Sequence, residues 1–331
     1  MGTLEERVRR RMEEVMDEYL LPPLHRAAFG SFVRRCIADG RNDKCERARA
    51  WLLQKMGIRR PVDPHPSQRG CPEIIPQLTP RPVWPADMFP FISQLEALHP
   101  VIKEELLALR GRQTFQPYRG PIRQRAGNDA ASSSSEGDGV PGQASHEGGD
   151  WNVLYLLLHN QPFPENVALC PRTVEFIQSI PRQYCHALFS AMTPGTHIRA
   201  HNGPTNKKLR IHLPIMGLEG TRLRVGDQTI TPTEGRCYVF DDSFSHEVWH
   251  DGPVTRFVLI IDMWHPDLSA EEVVFFTMLR NSRLRGERQM VASGGDPDRQ
   301  TLYSLIEGAA GQIEDDMSWW SMSINRQDTP Q

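Results

Sequence analysis

The chain has 331 residues, 39% of them hydrophobic and 24% charged, which is typical of a globular protein with one or two domains. Its 38 Lys and Arg residues nearly balance 41 Asp and Glu residues, so the formal net charge of −3 provides no overall attraction to nucleic acid or to an anionic membrane. No apolar run approaches the ~18 residues of a membrane span, and the charged first residues lack the apolar core of a signal peptide. We therefore expect a cytoplasmic protein with no membrane span and no nucleic-acid partner.

The first sixty residues have the periodicity of helices. Apolar residues recur at helical spacing over Leu4–Leu20, and the pair Pro22–Pro23 ends that pattern. Leu24–Ala38 is a second predicted helix, and a third runs to Lys55 with Asp43 as its N-cap. Residues 1–60 are thus predicted to form an N-terminal helical segment.

The segment that follows begins with a Pro-rich connector over residues 61–82. Phe91–Leu109 then has apolar residues at helical spacing, but Pro100 interrupts the pattern and predicts a kink or two short helices. Residues 124–150 contain almost no large apolar side chain, so burial cannot offset the entropy cost of ordering them. We expect a disordered insert over this range.

After Trp151 the sequence changes to short runs rich in β-branched and aromatic residues, separated by Gly, Pro and Asp. Runs of this length and spacing predict a sandwich or barrel of β-strands. The predicted strands are Ala187–Met192, Leu209–Ile215, Thr221–Val225, Arg236–Phe240 and Thr255–Ile261. Helical patterns return at Ser269–Leu279 and at 298–308, so residues 269–331 are predicted to be a C-terminal helical extension.

Half of the twelve histidines fall within residues 197–265, and they allow two different metal sites. The first uses the run HEVWH at 246–250, an H-E-x-x-H motif, which on a helix places two imidazoles on zinc beside a Glu general base. The residues DGP end any helix directly after this run, and predicted strands lie on both sides. A zinc hydrolase built on His246, Glu247 and His250 is therefore the less favoured alternative.

The second site distributes its residues over a β-scaffold. His201 follows a Pro-Gly turn, His246 comes after the next predicted strands, and Arg256 lies inside the strand after that. Two neutral imidazoles with open coordination positions suit a non-haem Fe(II) ion. A buried arginine suits a carboxylate held by two parallel charged hydrogen bonds. Together these residues indicate a site for iron and a dicarboxylate cosubstrate such as 2-oxoglutarate.

Three stretches carry a resemblance to a known family: PGTHIRAHNGPTNKKLRIHLPI, EGRCYVFDDSFSHEVWHDG and TRFVLIIDMWHPDLS. They resemble the aspartyl/asparaginyl β-hydroxylases, which are 2-oxoglutarate- and Fe(II)-dependent oxygenases on a double-stranded β-helix, a cupin-like jelly-roll barrel. The resemblance covers roughly residues 84–269. It implies a mainly β protein with flanking helices, whose oxygenase domain spans residues 83–268 and follows the N-terminal helical segment. It also assigns HEVWH to the strand that carries the second iron ligand.

Position by position, the resemblance implies that His201 and His246 bind iron and that Arg256 binds the distal carboxylate of 2-oxoglutarate. The residues at the remaining cosubstrate positions are Ser190, Arg210 and His212. Most 2-oxoglutarate oxygenases have a carboxylate two residues after the first histidine, where this chain has Gly203. The resembling family is known for a two-histidine site with glycine at that place, so this departure agrees with the resemblance.

The function that the resemblance implies is a dioxygenase that uses O2 to hydroxylate an unactivated C–H bond. The leading expectation for the substrate is the β-carbon of Asp or Asn in a polypeptide, and a lipid or a small molecule is the alternative substrate. The competing class is a catalytically inactive jelly-roll binding protein, in which the missing carboxylate at Gly203 reflects lost catalysis.

Overall fold

The computed structural model describes residues 4–38, 44–110, 112, 115–118, 144–159 and 161–293. The chain divides into two compact units. The described part of the first unit is 4–38, 44–64, 74–79 and 265–293, and that of the second is 65–73 and, with the gaps given above, 80–264. None of the described helices combines the length and the apolar character that a bilayer span requires.

The helices are α1 (Leu4–Glu18), α2 (Pro23–Ala38), α3 (Glu46–Lys55), α4 (Ile92–Ala97), α5 (His99–Leu107), α6 (Pro164–Leu169), α7 (Pro171–Ser179) and α8 (Ala270–Ala292). The strands are β1 (Val83–Trp84), β2 (Gln116–Pro117), β3 (His146–Glu147), β4 (Trp151–Leu158), β5 (Gln161–Pro162), β6 (Gln183–Met192), β7 (Thr196–His201), β8 (Lys208–Met216), β9 (Thr221–Val225), β10 (Gln228–Ile230), β11 (Tyr238–Phe240), β12 (His246–His250) and β13 (Arg256–Trp264).

The helices of the first unit follow the sequence pattern closely. Pro23 begins α2, where a missing backbone N–H costs nothing because the first turn has no intrahelical acceptor for it. α3 begins at Glu46, and the predicted N-cap, Asp43, lies outside the described residues. The Glu272 carboxylate of α8 accepts the first N–H groups of α3 instead, at 2.7 Å from the Arg47 nitrogen. The predicted helix at 298–308 also lies outside the described residues.

The sequence patterns between 91 and 150 have mixed outcomes. The Phe91–Leu109 pattern forms two helices, α4 and α5, with Pro100 in the first turn of α5, as predicted. Most of the predicted insert lies outside the described residues, but 144–150 lie inside and contain β3, which pairs with β7. The last part of the range predicted to be disordered thus contains a short strand, which pairs with a strand about 50 residues further along the chain.

The strands form two antiparallel sheets. The larger sheet has the order β1-β11-β8-β13-β6-β4-β2 with β5 beside β4, and the smaller sheet has the order β10-β9-β12-β7-β3. From β6 to β13 the chain passes back and forth between the two sheets, which is the connectivity of a jelly roll. The predicted mainly β jelly roll with flanking helices is confirmed. Over the described strands, the two sheets do not close into one continuous barrel.

The larger sheet buries both of its faces. On β13, Phe257, Leu259 and Ile261 pack into a core with α4, α5 and α7, whereas Val258 and Ile260 pack against the smaller sheet. Because alternate residues of a strand point to opposite faces, the same register places polar residues of β8 and β13 between the two sheets. These polar residues build the site described next.

Candidate active site between the two sheets

A cavity that opens to solvent lies between the two sheets. The apolar residues of its wall are Trp151, Ile198, Leu223, Phe240, Val248 and Ile260. The polar residues of its wall are Ser190, His201, Arg210, His212, His246 and Arg256. The structure thus brings together around one cavity all six residues that the sequence analysis assigned to iron and cosubstrate.

His201 and His246 face each other across the β7–β12 pair, with ring centroids 4.1 Å apart. The Nδ1 atom of His201 lies 2.8 Å from the Arg199 carbonyl oxygen, and that of His246 lies 2.9 Å from the Phe244 carbonyl oxygen. A carbonyl oxygen can only accept, so each Nδ1 carries the imidazole proton. Each Nε2 therefore keeps its lone pair, which is the form that binds a metal ion.

Burial keeps this imidazole pair uncharged. Desolvation lowers the pKa of His201, and desolvation together with the neighbouring His201 holds the pKa of His246 well below its ordinary value. Neutral imidazoles are common ligands of divalent transition metals. Within the described part of the chain, no group of three or more His, Cys, Asp or Glu side chains is arranged to hold a metal ion, so any metal here has two protein ligands from this set.

Gly203 contributes nothing to such a ligand set, because its surroundings leave no room for a side chain. A Cβ atom at this position would lie 2.6 Å from the Asp242 Cγ and 2.7 Å from both carboxylate oxygens. Asp242 is itself buried and accepts from Lys208 Nζ at 2.6 Å. The preceding Asp241 closes a turn by accepting from the Ser243 N–H at 2.9 Å.

Arg256 is a buried cation that has no counter-ion among the described residues. It is 2% exposed, and its described neighbours are the Met192 sulfur, 3.0 Å from Nη1, and the Tyr238 hydroxyl. No described carboxylate contacts it, and its Nε is buried without a hydrogen-bond partner. Desolvation lowers its pKa for the same reason. Burying an unpaired charge costs several kcal/mol, so an anion at this wall of the cavity would be stabilised by Arg256.

Two neutral polar residues lie beside Arg256 on the cavity wall. His212 Nδ1 is 2.8 Å from the Tyr238 hydroxyl, and its Nε2 is buried without a partner. Burial and the nearby Arg256 hold the pKa of His212 well below its ordinary value. Ser190 accepts a hydrogen bond from the Trp151 indole at 3.1 Å, which fixes its hydroxyl at the wall.

Arg210 has a different environment from Arg256, because its charge is already balanced. Its Nε and Nη2 donate to the Asp262 carboxylate at 2.8 and 3.0 Å, the bidentate geometry of a strong ion pair. Lys208 lies 3.1 Å from the same carboxylate. The ion pairs hold Arg210 rigidly at the cavity wall.

The HEVWH run is a strand, so it is not the zinc-binding helix of the alternative interpretation. Alternation places Glu247 on the opposite face of β12 from His246 and His250. There Glu247 contacts His197 Nε2 at 3.1 Å and the Arg224 guanidinium. The two ring nitrogens of His250 contact the Thr221 hydroxyl and the Val254 carbonyl oxygen. The three groups of a zinc hydrolase therefore do not share a site.

The sequence analysis missed two residues that shape the cavity. Trp151 lines it and holds Ser190, and Tyr238 contacts both Arg256 and His212. A signal for Trp151 was its position as the first large apolar residue after the polar insert. For Tyr238 the signal was its alternate spacing with Phe240 in a predicted strand, which places both on one face.

A family model and several known proteins match the part of the chain that contains this site. The family model described as aspartyl/asparaginyl β-hydroxylase matches residues 96–266, just over half of the chain. The human aspartyl/asparaginyl β-hydroxylase is 36% identical over 131 residues, which cover 38% of this chain and 17% of that protein. Human aspartate β-hydroxylase domain-containing protein 2 is 37% identical over 132 residues, which cover 38% of this chain and 36% of that protein.

A bacterial relative aligns over a longer stretch. The ornithine lipid ester-linked acyl 2-hydroxylase of Rhizobium tropici is 30% identical over 201 residues, which cover 60% of this chain and 66% of that protein. The chain thus spans well under half of the two human relatives and about two thirds of the bacterial one. Among solved structures, a 2OG-Fe(II) oxygenase family oxidoreductase from Burkholderia pseudomallei has a TM-score of 0.32 and 13% identity, covering 54% of this chain and 92% of that one.

Proposed function

Because this chain belongs to the aspartyl/asparaginyl β-hydroxylase family, we propose that it is an Fe(II)- and 2-oxoglutarate-dependent dioxygenase that hydroxylates an unactivated C–H bond. The observation that carries the proposal is a single cavity whose wall contains two neutral imidazoles with lone pairs on Nε2 and a buried guanidinium that no described carboxylate contacts. The imidazoles suit a divalent iron, and the guanidinium suits a carboxylate of the cosubstrate.

His201 and His246 would hold the iron through their Nε2 atoms. Their Nδ1 hydrogen bonds to backbone carbonyls fix both the tautomer and the ring orientation that such binding needs. Gly203 offers no ligand, so the protein would supply two ligands and leave the remaining positions to small molecules. When bound, Fe(II) and 2-oxoglutarate would supply O2 activation and transfer of one oxygen atom to the substrate, with succinate and CO2 as the other products.

Arg256 would bind the distal carboxylate of 2-oxoglutarate. A guanidinium can make two parallel hydrogen bonds to a carboxylate, and here they would also neutralise a charge that no described carboxylate compensates. Ser190, Arg210 and His212 would complete the pocket. Arg210, already paired with Asp262, would contribute fixed N–H groups rather than an unbalanced charge.

For the substrate, we propose the β-carbon of an Asp or Asn residue in a polypeptide. The support is the match to aspartyl/asparaginyl β-hydroxylases through the family model and the human relatives. Hydroxylation of a lipid acyl chain is the second candidate, because the Rhizobium tropici ornithine lipid 2-hydroxylase aligns with 60% of this chain.

A product assay tests this proposal. The purified protein would be incubated with Fe(II), 2-oxoglutarate and O2, together with either Asp- and Asn-containing peptides or ornithine lipids. We expect a mass increase of one oxygen atom in one class, matched by succinate, and its loss in His246→Ala. The matched control is His197→Ala, whose imidazole lies on the same strand pair and contacts Glu247 rather than the cavity. Binding of both Fe(II) and 2-oxoglutarate without any product from either class would favour the inactive binding protein.

A further inference from the structure

Tyr238 lies between the two residues that the proposed cosubstrate pocket would use to hold a carboxylate. It is the register partner of His212 across the β11–β8 pair, and its hydroxyl oxygen is 2.8 Å from His212 Nδ1. The Arg256 guanidinium lies beside the same hydroxyl. Tyr238 is buried, and His212 and Arg256 are the polar groups described beside its hydroxyl.

The direction of the hydrogen bond between Tyr238 and His212 follows from which atoms carry protons. A guanidinium has only donors, so the Tyr238 hydroxyl can turn its oxygen toward Arg256 but cannot donate its proton there. The hydroxyl then has one proton to donate, and His212 Nδ1 is its acceptor. If Nδ1 carried a proton instead, the Tyr238 oxygen would face N–H donors from both His212 and Arg256, and the buried hydroxyl proton would have no acceptor among its described neighbours. A neutral His212 that accepts at Nδ1 must carry its own proton on Nε2.

We propose that Tyr238 is a positioning residue that holds His212 in the Nε2–H tautomer, so that His212 donates a hydrogen bond into the cavity. His201 and His246 have the opposite tautomer, because their Nδ1 atoms donate to backbone carbonyls. One cavity thus contains two imidazoles that accept at Nε2, which suits a metal, and one that donates at Nε2, which suits an anion.

The atoms that lack partners agree with this assignment. His212 Nε2 and Arg256 Nε are both buried, and neither has a hydrogen-bond partner among the described residues. Both belong to residues of the cavity wall. Buried donors without acceptors are rare in folded proteins, and two of them beside one cavity are complementary to a carboxylate. The identity of that carboxylate as 2-oxoglutarate rests on the proposed function, whereas the tautomer of His212 does not.

The tautomer can be measured without any metal or cosubstrate. In metal-free protein with ¹⁵N-labelled histidine, the ring nitrogen shifts distinguish a protonated Nε2 from a protonated Nδ1, and the spectrum of His212→Gln identifies the His212 signals. We expect His212 to be protonated at Nε2 and His201 and His246 at Nδ1. A protonated Nδ1 on His212 would overturn the proposal.

The consequence for binding is tested with Tyr238→Phe, which keeps the ring and removes the hydroxyl. We expect the Kd of 2-oxoglutarate to rise about tenfold in anaerobic Fe(II) protein, the effect of one weakened hydrogen bond to a charged group, with the Fe(II) Kd within about twofold of wild type. The matched control is Tyr155→Phe, because Tyr155 is equally buried on the larger sheet and has no described contact with His212 or Arg256.

The outcomes separate the inference from the proposed function. An equal loss of Fe(II) and 2-oxoglutarate binding in Tyr238→Phe would mean a merely structural role, and an unchanged 2-oxoglutarate Kd would mean no role; either result would overturn the proposal. Wild-type protein that binds no 2-oxoglutarate would instead remove the proposed function, and the nitrogen shifts of His212 would still decide the hydrogen-bond chain.

Discussion

His201 and His246 are direct register partners on neighbouring antiparallel strands, and the register of that strand pair shifts immediately after His246. A register shift of this kind is typical of a β-bulge, which changes the direction of the neighbouring side chains. Bulges are frequent beside active sites. The imidazole pair is therefore a product of strand pairing rather than of any local motif. This explains why His246 pairs with His201, whereas His250, four residues away in HEVWH, hydrogen-bonds elsewhere.

Arg256→Ala should weaken 2-oxoglutarate binding about 100-fold, because two charged hydrogen bonds worth about 3 kcal/mol are lost. The Fe(II) Kd should stay unchanged, since Arg256 has no contact with the imidazole pair among its described partners. Anaerobic binding titrations measure both constants. Arg222→Ala is the control, because Arg222 is exposed and paired with Asp251. An unchanged 2-oxoglutarate Kd in Arg256→Ala would remove Arg256 from its proposed role.

Glu247→Gln should leave Fe(II) binding and turnover within about twofold of wild type. Glu247 is buried on the face of β12 opposite His246 and contacts His197 and the half-exposed Arg224. The substitution therefore weakens charged hydrogen bonds outside the cavity, and it should lower the free energy of unfolding by about 1–3 kcal/mol. Turnover kinetics and thermal denaturation check this expectation. Complete loss of activity in folded Glu247→Gln protein would restore the zinc hydrolase interpretation.

Gly203→Ala should lower the free energy of unfolding by about 1–3 kcal/mol, the usual cost of overpacking a buried site. The added Cβ would lie 2.6 Å from the Asp242 Cγ, and moving Asp242 would disturb its ion pair with Lys208. Gly203→Asp should cost more, because it adds a second carboxylate there. Chemical denaturation measures both variants against Gly30→Ala, where the nearest atom would be 3.6 Å from the new Cβ. Unaltered stability in Gly203→Ala would contradict the packing described here.

The stability of the metal-free protein should fall as the pH decreases from about 7.5 to 5.5. Burial lowers the pKa of His201, His212 and His246 in the folded protein, whereas histidine in the unfolded chain titrates near about 6.5. Below that pH the unfolded chain binds more protons, so the free energy of unfolding decreases by up to about 1.4 kcal/mol per pH unit and histidine. Burial raises the pKa of Asp241 to about 7, so its protonation stabilises the folded protein as the pH falls. This one group opposes the effect of three histidines.

Denaturation at several pH values measures this slope, and His212→Gln should reduce it because one titrating group is removed. A free energy of unfolding that is constant, or that rises on acidification, would contradict the buried neutral state of these imidazoles.

The sequence predicted the site residues that lie in long family motifs. It did not predict features that depend on pairing between strands distant in sequence. The short runs of β-branched and aromatic residues after Trp151 predict a β-sandwich or barrel. The three family stretches predict a jelly roll and the polar residues that line its cavity. The strand β3 was missed because its partner, β7, is distant in sequence. Tyr238 was missed for a similar reason, since its significance lies in contacts with His212 and Arg256 from two other strands. Side-chain contacts of this kind depend on which strands pair, and the strands that carry Tyr238, His212 and Arg256 are separated in sequence.

The most direct test of the central claim is an anaerobic titration of the metal-free protein with Fe(II) and 2-oxoglutarate, followed by the visible charge-transfer absorption of the chelated complex. We expect a band that requires both components, that is lost in His246→Ala and that is retained in His197→Ala. No band in folded wild-type protein, or an undiminished band in His246→Ala, would contradict the proposed iron and cosubstrate site.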